Sequence, residues 1–168
     1  MRVSWTIVKI RKLAKEFEKQ GVDGVIISCC GDPGLELVRE DLSIPVVGAG
    51  ESTALMSLRY GEKIYSLGIT ETAPKNYKKV LKERLIDNAI PEGVYSTLDL
   101  QDVQGWNSVC EKAKQLKENG AEVIALACTG MATMGIAPKL EEVIGISVLD
   151  PVMCEGLVMY MELLRKNS

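Results

Sequence analysis

Histidine is missing from this chain altogether, and its absence removes a large body of chemistry. A Ser-His-Asp triad, a Cys-His nucleophile pair and a zinc site of mixed Cys and His ligands are all excluded. Five cysteines are present: Cys29, Cys30, Cys110, Cys128 and Cys154. They lack the paired short spacings of an all-cysteine zinc site and the Cys-x-x-Cys of a thioredoxin-type centre. Neither Cys29 nor Cys128 has an arginine six residues on, which rules out a phosphatase-type cysteine loop. Long apolar runs are missing too; none approaches the ~18 residues of a membrane span. The start, Met1 to Trp5 followed by alternating charged and apolar residues, does not read as a signal peptide. An odd cysteine count without framework spacing fits a reducing compartment, so a cytoplasmic location is expected. Strong charge of either sign is also absent. The net charge of -3 gives no nucleic-acid footprint. Basic runs such as Lys78-Lys79 and Lys112 to Lys117 fall on helical patterns and read as solvated faces.

What is present is an alternation of helical and strand patterns along 168 residues, enough for one sizeable α/β domain or two small lobes. Apolar residues at helical spacing run from Thr6 to Gln20, and Gly21 stops that helix. Residues 25–28 form a short, mostly β-branched run suited to a strand buried in a parallel sheet. Asp32 is placed to cap the next helix, with Pro33 at its first position, and that helix runs to about Asp41. A strand at 44–47 and a helix from Ser52 to Tyr60 follow. Lys63 to Ile69 reads as a strand, Thr72 to Asn88 as one long amphipathic helix, and Gly93 to Thr97 as a weaker strand. Asp102 to Asn119 is again helical. After it come a buried strand at 123–127, a short helix at 138–144, a strand at 147–149 and a last helix from Pro151 to Arg165. Cys110 and Cys154 fall on the inner faces of their helices and read as inert core.

Two segments repeat one another. Gln20 to Gly31 aligns with Asn119 to Gly130 without a gap, and Cys29 falls on Cys128. In each, a helix ends at a Gly, a short acidic turn follows, and a buried strand delivers a Cys and then a Gly. Each copy continues into a helix and a further strand. Ligands of open α/β sheets sit beyond the carboxyl ends of the strands, where both cysteines fall. If the copies face each other across a pseudo-twofold axis, one thiol stands on each side of a shared cleft. A turn near a helix N-terminus would then offer backbone N–H groups to an anion and would favour a thiolate. Two opposed thiols suit racemisation, in which a base removes a proton from the carbon α to a carbonyl and an acid returns one to the other face. Cys30 aligns with Thr129 and reads as a loop residue with its N–H toward the site. No motif for a metal or organic cofactor is visible.

At these residues the chain resembles the hydantoin racemase branch of the aspartate/glutamate/hydantoin racemase superfamily. The resemblance is carried by Ile27 to Gly34 (Cys29-Cys30-Gly31-Asp32-Pro33), Ser43 to Gly48, Ala127 to Met131 (Cys128-Thr129-Gly130) and Val148 to Val152. It implies an α/β fold of two Rossmann-like lobes with parallel sheets. One lobe would comprise residues 1–61 with the C-terminal helix 151–168, the other residues 62–150. It implies Cys29 and Cys128 as a two-base catalytic pair. Substrate would be held by Cys30, Gly31, Thr129 and Gly130, with Thr70 and Thr72 at positions that often touch the ligand. Helix capping is the alternative role for those two threonines, and the expected one for Glu51 and Ser52. The resemblance implies no cofactor and a small-molecule substrate, an amino acid or hydantoin derivative. Dimers are common among family members, so a homo-oligomer is compatible with it. One departure stands out. Members usually carry a strand, an Asn-rich loop, a helix and a second strand ahead of the region matching Thr6. Without them the first lobe would keep two of its strands and expose a sheet edge.

Other readings stay open at this level. A maleate-type cis-trans isomerase of the same superfamily would use one cysteine as a covalent nucleophile. An aryl-malonate-type decarboxylase would need only one of the two. Gly48-Ala49-Gly50-Glu51-Ser52-Thr53 lies between a strand and a helix, as in a nucleotide-binding module, but lacks the third Gly of the dinucleotide fingerprint. A remnant without catalysis is the last alternative.

Overall fold

The computed structural model describes residues 4–166. Apolar residues at helical spacing build α1 (Trp5–Lys19), which Gly21 terminates at φ 82°. The chain then passes through β1 (Val25–Ile27), α2 (Leu35–Asp41), β2 (Val46–Gly48) and α3 (Ala49–Ser57). There follow β3 (Ile64–Leu67), α4 (Lys75–Leu81), a 3-10 turn at 82–84 and β4 (Leu85–Ala89). The chain closes with α5 (Val103–Glu118), β5 (Val123–Leu126), α6 (Thr129–Thr133), α7 (Ile136–Ile144), β6 (Ser147–Leu149) and α8 (Pro151–Lys166). Among the described residues no helix is long and apolar enough to cross a membrane.

Every strand pairing is parallel. β1 and β2 form a two-stranded sheet, and the other four form a sheet in the order β4-β3-β5-β6. The fold is therefore α/β with parallel sheets, as the alternation of patterns implied. Strands β3 and β5 are buried at every residue, so β5 is an unbroken apolar run and β3 is interrupted only by Ser66. One face of the larger sheet packs on α5, α6 and α7 through Val109, Leu116, Met131, Leu140 and Ile144. The other face takes Ala54 of α3, Tyr77 and Leu81 of α4, and Cys154 of α8. A third cluster joins α1 and α2 to β1 and β2 through Ala14, Val25, Ile27, Leu35, Val38 and Val46. Helices α3 and α8 also pack on β2, so they stand between the two sheets. Cys110 and Cys154 are both buried.

The sequence expectations for residues 72–97 need correction. The helix expected over Thr72 to Asn88 stops at Leu81, where Lys82 turns to φ 51°. Residues 85–89 then form β4, and the strand expected at 93–97 is irregular. β4 is an edge strand: Ile86, Asp87 and Asn88 lack a second strand beside them, and Ile86 is 48 % exposed. Its apolar residues continue the spacing of α4, so periodicity alone does not separate the two. Residues 93–97 are fixed by a buried Val94 and by Asp99, whose carboxylate accepts from the N–H groups of Tyr95 and Ser96. Asp102, read only as the first residue of this helix, is the N-cap of α5, accepting from Gly105 N at 2.7 Å.

Candidate active site

The polypeptide reaches the site from two strand ends. β1 leads through Ser28 to Cys29, and the chain closes a turn in which the Asp32 N–H donates to the Cys29 carbonyl at 2.9 Å. β5, flanked by β3 and β6, leads through Ala127 to Cys128, the residue before α6. Cys29 is exposed and Cys128 half-buried. Both line one cavity of about 390 Å³.

The same cavity brings together Cys30, Gly31, Thr70, Thr72 and Thr129 from the sequence-derived set. Ile69, Ala73, Pro74, Lys75 and Ala127 complete the wall. Gly130 is not on it; as the second residue of α6 it lies against Thr97, which would collide with any added side chain. The Thr70 hydroxyl donates to the Thr72 carbonyl at 3.0 Å, closing the turn after β3. Neither threonine caps a helix, since α4 begins only after Pro74. Glu51 and Ser52 lie in the first turn of α3, and neither is on the cavity wall. Glu51 pairs with Arg39 at 2.5 Å, and Ser52 is buried.

The turn carrying Cys29 is held differently from what Asp-Pro-Gly suggested. Asp32 does not cap α2, whose preceding residue is Gly34. Its carboxylate accepts from the N–H groups of Gly50 (2.9 Å) and Glu51 (2.7 Å), in the first turn of α3, and from Asn76 Nδ2 (2.6 Å) on α4. One side chain thus ties the Cys29 turn to two helices. Asp32 adopts φ 45°, a region that Asp tolerates better than most residues. Burial raises its pKa, opposed by the bonds from Asn76 and the two amides. Close approach of backbones is required here: a Cβ at Gly50 would collide with the Cys30 carbonyl. Cys30 itself turns inward. Its Sγ lies 3.8 Å from the Leu126 carbonyl, and burial pushes its thiol well above the usual range.

The two strand ends touch. The Thr129 hydroxyl donates to the Ser28 carbonyl at 3.4 Å, and the Ser28 hydroxyl donates to Glu155 Oε1 at 2.7 Å. Glu155 is 4 % exposed, and its other carboxyl oxygen is buried without a partner. Burial raises its pKa, opposed by the bond from Ser28. Sequence reading missed Glu155, Lys75 and the reach of Asp32. For Glu155 a signal existed: with Pro151, Cys154 and Met159 it occupies the buried face of α8, where a carboxylate is out of place.

The α/β fold thus carries two strand-end cysteines, Cys29 and Cys128, on the wall of one cavity. The fold is shared with solved structures. Allantoin racemase from Klebsiella pneumoniae superposes with a TM-score of 0.77 at 25 % identity, over 92 % of this chain and 65 % of that one. Glutamate racemase from Bacillus anthracis gives a TM-score of 0.66 at 18 % identity, over 99 % of this chain and 68 % of that one, a likeness of fold alone. The family model for Asp/Glu/hydantoin racemases matches residues 3–155, and the chain belongs to that family. Among curated relatives, the hydantoin racemase of Paenarthrobacter aurescens is 30 % identical over 136 residues (77 % of this chain). That of Pseudomonas sp. (strain NS671) is 31 % identical over 150 residues (82 % of this chain). The chain spans 57 % of the length of each of these two relatives.

Proposed function

We propose that this chain carries the catalytic pair of a cofactor-independent racemase acting on the carbon α to a carbonyl in an amino acid or hydantoin-type substrate. The observation that carries this reading is that Cys29 and Cys128, delivered by two different sheets, open onto one cavity of small-molecule size. In one direction a thiolate takes the α-proton, and the electron pair passes into the adjoining carbonyl. The opposite thiol then gives its proton to the other face of the carbon. The net result is inversion, with the proton moved from substrate to one sulfur and from the other sulfur to product; the reverse reaction exchanges the roles. Two groups in place at once make this effectively unimolecular. The hydantoin and allantoin racemases among the similar proteins support the substrate class.

The test is incubation of single enantiomers of 5-substituted hydantoins and of acidic amino acids in deuterated water. Loss of optical rotation should accompany incorporation of deuterium at the α-carbon. Cys29→Ser and Cys128→Ser should each abolish inversion, while exchange of one enantiomer only can persist in either. Inversion at near wild-type rates in either serine variant would overturn the two-thiol reading.

A further inference from the structure

We propose that Lys75 selects substrates bearing a second anionic group, a carboxylate beyond the reacting carbon, over their neutral counterparts. This rests on the racemase reading above and names its substrate class. Lys75 is the one charged residue on the wall of the cavity that holds Cys29 and Cys128. Together with Gly31 it also lines an adjoining cavity of about 400 Å³ between the Cys29 turn, α2 and α4. The other charges around that second space are already matched. Lys79 pairs with Glu36 at 3.2 Å, and Glu36 also lies 3.9 Å from Arg39. Both oxygens of Asp32 are taken by Gly50, Glu51 and Asn76. The Lys75 side chain has no hydrogen bond or ion pair among the described residues. Among the described residues it is therefore the one unmatched cation where the two cavities meet. An arriving carboxylate would gain a charge-assisted bond from this ammonium, which acts as a point charge.

The test compares 5-(carboxymethyl)hydantoin with its neutral isostere 5-(carbamoylmethyl)hydantoin in wild type, Lys75→Gln and Lys78→Gln. Lys78 is an exposed lysine of the same helix that lines a different cavity, so its variant controls for the charge change. The acid-over-amide ratio of kcat/KM should fall roughly tenfold in Lys75→Gln and stay unchanged in Lys78→Gln, since one charged contact is worth about one factor of ten or more. An unchanged ratio in Lys75→Gln overturns the proposal while leaving racemisation intact. A second readout needs no turnover. Succinate, but not succinamide, should protect Cys29 and Cys128 from iodoacetamide, scored by mass spectrometry, with about tenfold more succinate needed in Lys75→Gln. Equal protection in both proteins, or none in wild type, overturns the proposal whatever the racemase assay gives. Protection that follows Lys75 without any α-proton exchange keeps the anion site and removes the racemase reading.

Discussion

Replacing Asp32 by Asn isolates what holds the Cys29 turn in place. Asn has the same shape and tolerates the φ of 45° at this position, so strain is not added. What changes is acceptor capacity. Oδ1 accepts from Gly50, and Oδ2 accepts from both Glu51 and Asn76. An amide in either orientation keeps one oxygen and turns an NH2 toward protein donors. Hydrogen bonds to a charged group are worth about 1.5–3 kcal/mol net, and a lost helix cap about 1 kcal/mol. Against this stands relief from burying a carboxylate, a cost visible in its raised pKa. The balance is a loss of about 2 kcal/mol, which for a chain of this length lowers Tm by roughly 4–8 °C. Urea unfolding followed by far-ultraviolet circular dichroism should show a lower midpoint with an unchanged slope. A loss below about 0.5 kcal/mol would refute the idea that this carboxylate fastens the turn to α3 and α4.

Two further outcomes follow from the same physics. Tyr77 is fully buried, and its hydroxyl donates to the Leu126 carbonyl at 2.6 Å, two residues before Cys128. Tyr77→Phe should therefore destabilise by about 1–2 kcal/mol in a denaturant melt, because the carbonyl left behind keeps only the weak thiol of Cys30. Asp41 is held well below its ordinary carboxylate range by hydrogen bonds from Arg11 and Lys15. In the acid window the unfolded chain binds that proton and the folded one does not, so stability rises with pH there. The contribution should be complete above the unfolded carboxylate's pKa and lost as pH falls through the lower folded value. Unfolding midpoints of wild type and Asp41→Asn should accordingly converge on acidification; a constant difference would count against the pair.

Much of the fold was legible because burial writes itself into residue type. β5 is an apolar run because both faces of its sheet are covered, and α5 announces itself by Asp102 at its start and an apolar stripe along its length. The repeated strand-Cys-Gly segment located both cysteines, since the chemistry of a strand end depends on local sequence. Long-range partners are not local. The sequence around Asp32 offers Pro33 and Gly34 as neighbours, whereas its real partners are Gly50, Glu51 and Asn76, met only after the chain has folded. β4 failed for a related reason. A half-exposed edge strand takes mixed residues, and Leu85 to Ala89 carries no clear alternation to set it apart from the helix before it. Lys75 looks like any solvated lysine until the pairing of Lys79, Glu36 and Asp32 is known.

The two sulfurs hang from unequal supports. The strand behind Cys128 is clamped on both sides, by β3 and β6, in the middle of the larger sheet. The strand behind Cys29 is three residues long and, among the described residues, has β2 as its single neighbour. Thermal breathing, which begins where backbone bonding is thinnest, will thus reach Cys29 long before it reaches Cys128. Around the shared cavity, amide hydrogen exchange should accordingly be faster along β1 than along β5, even with Asp32 fastening the turn that follows β1.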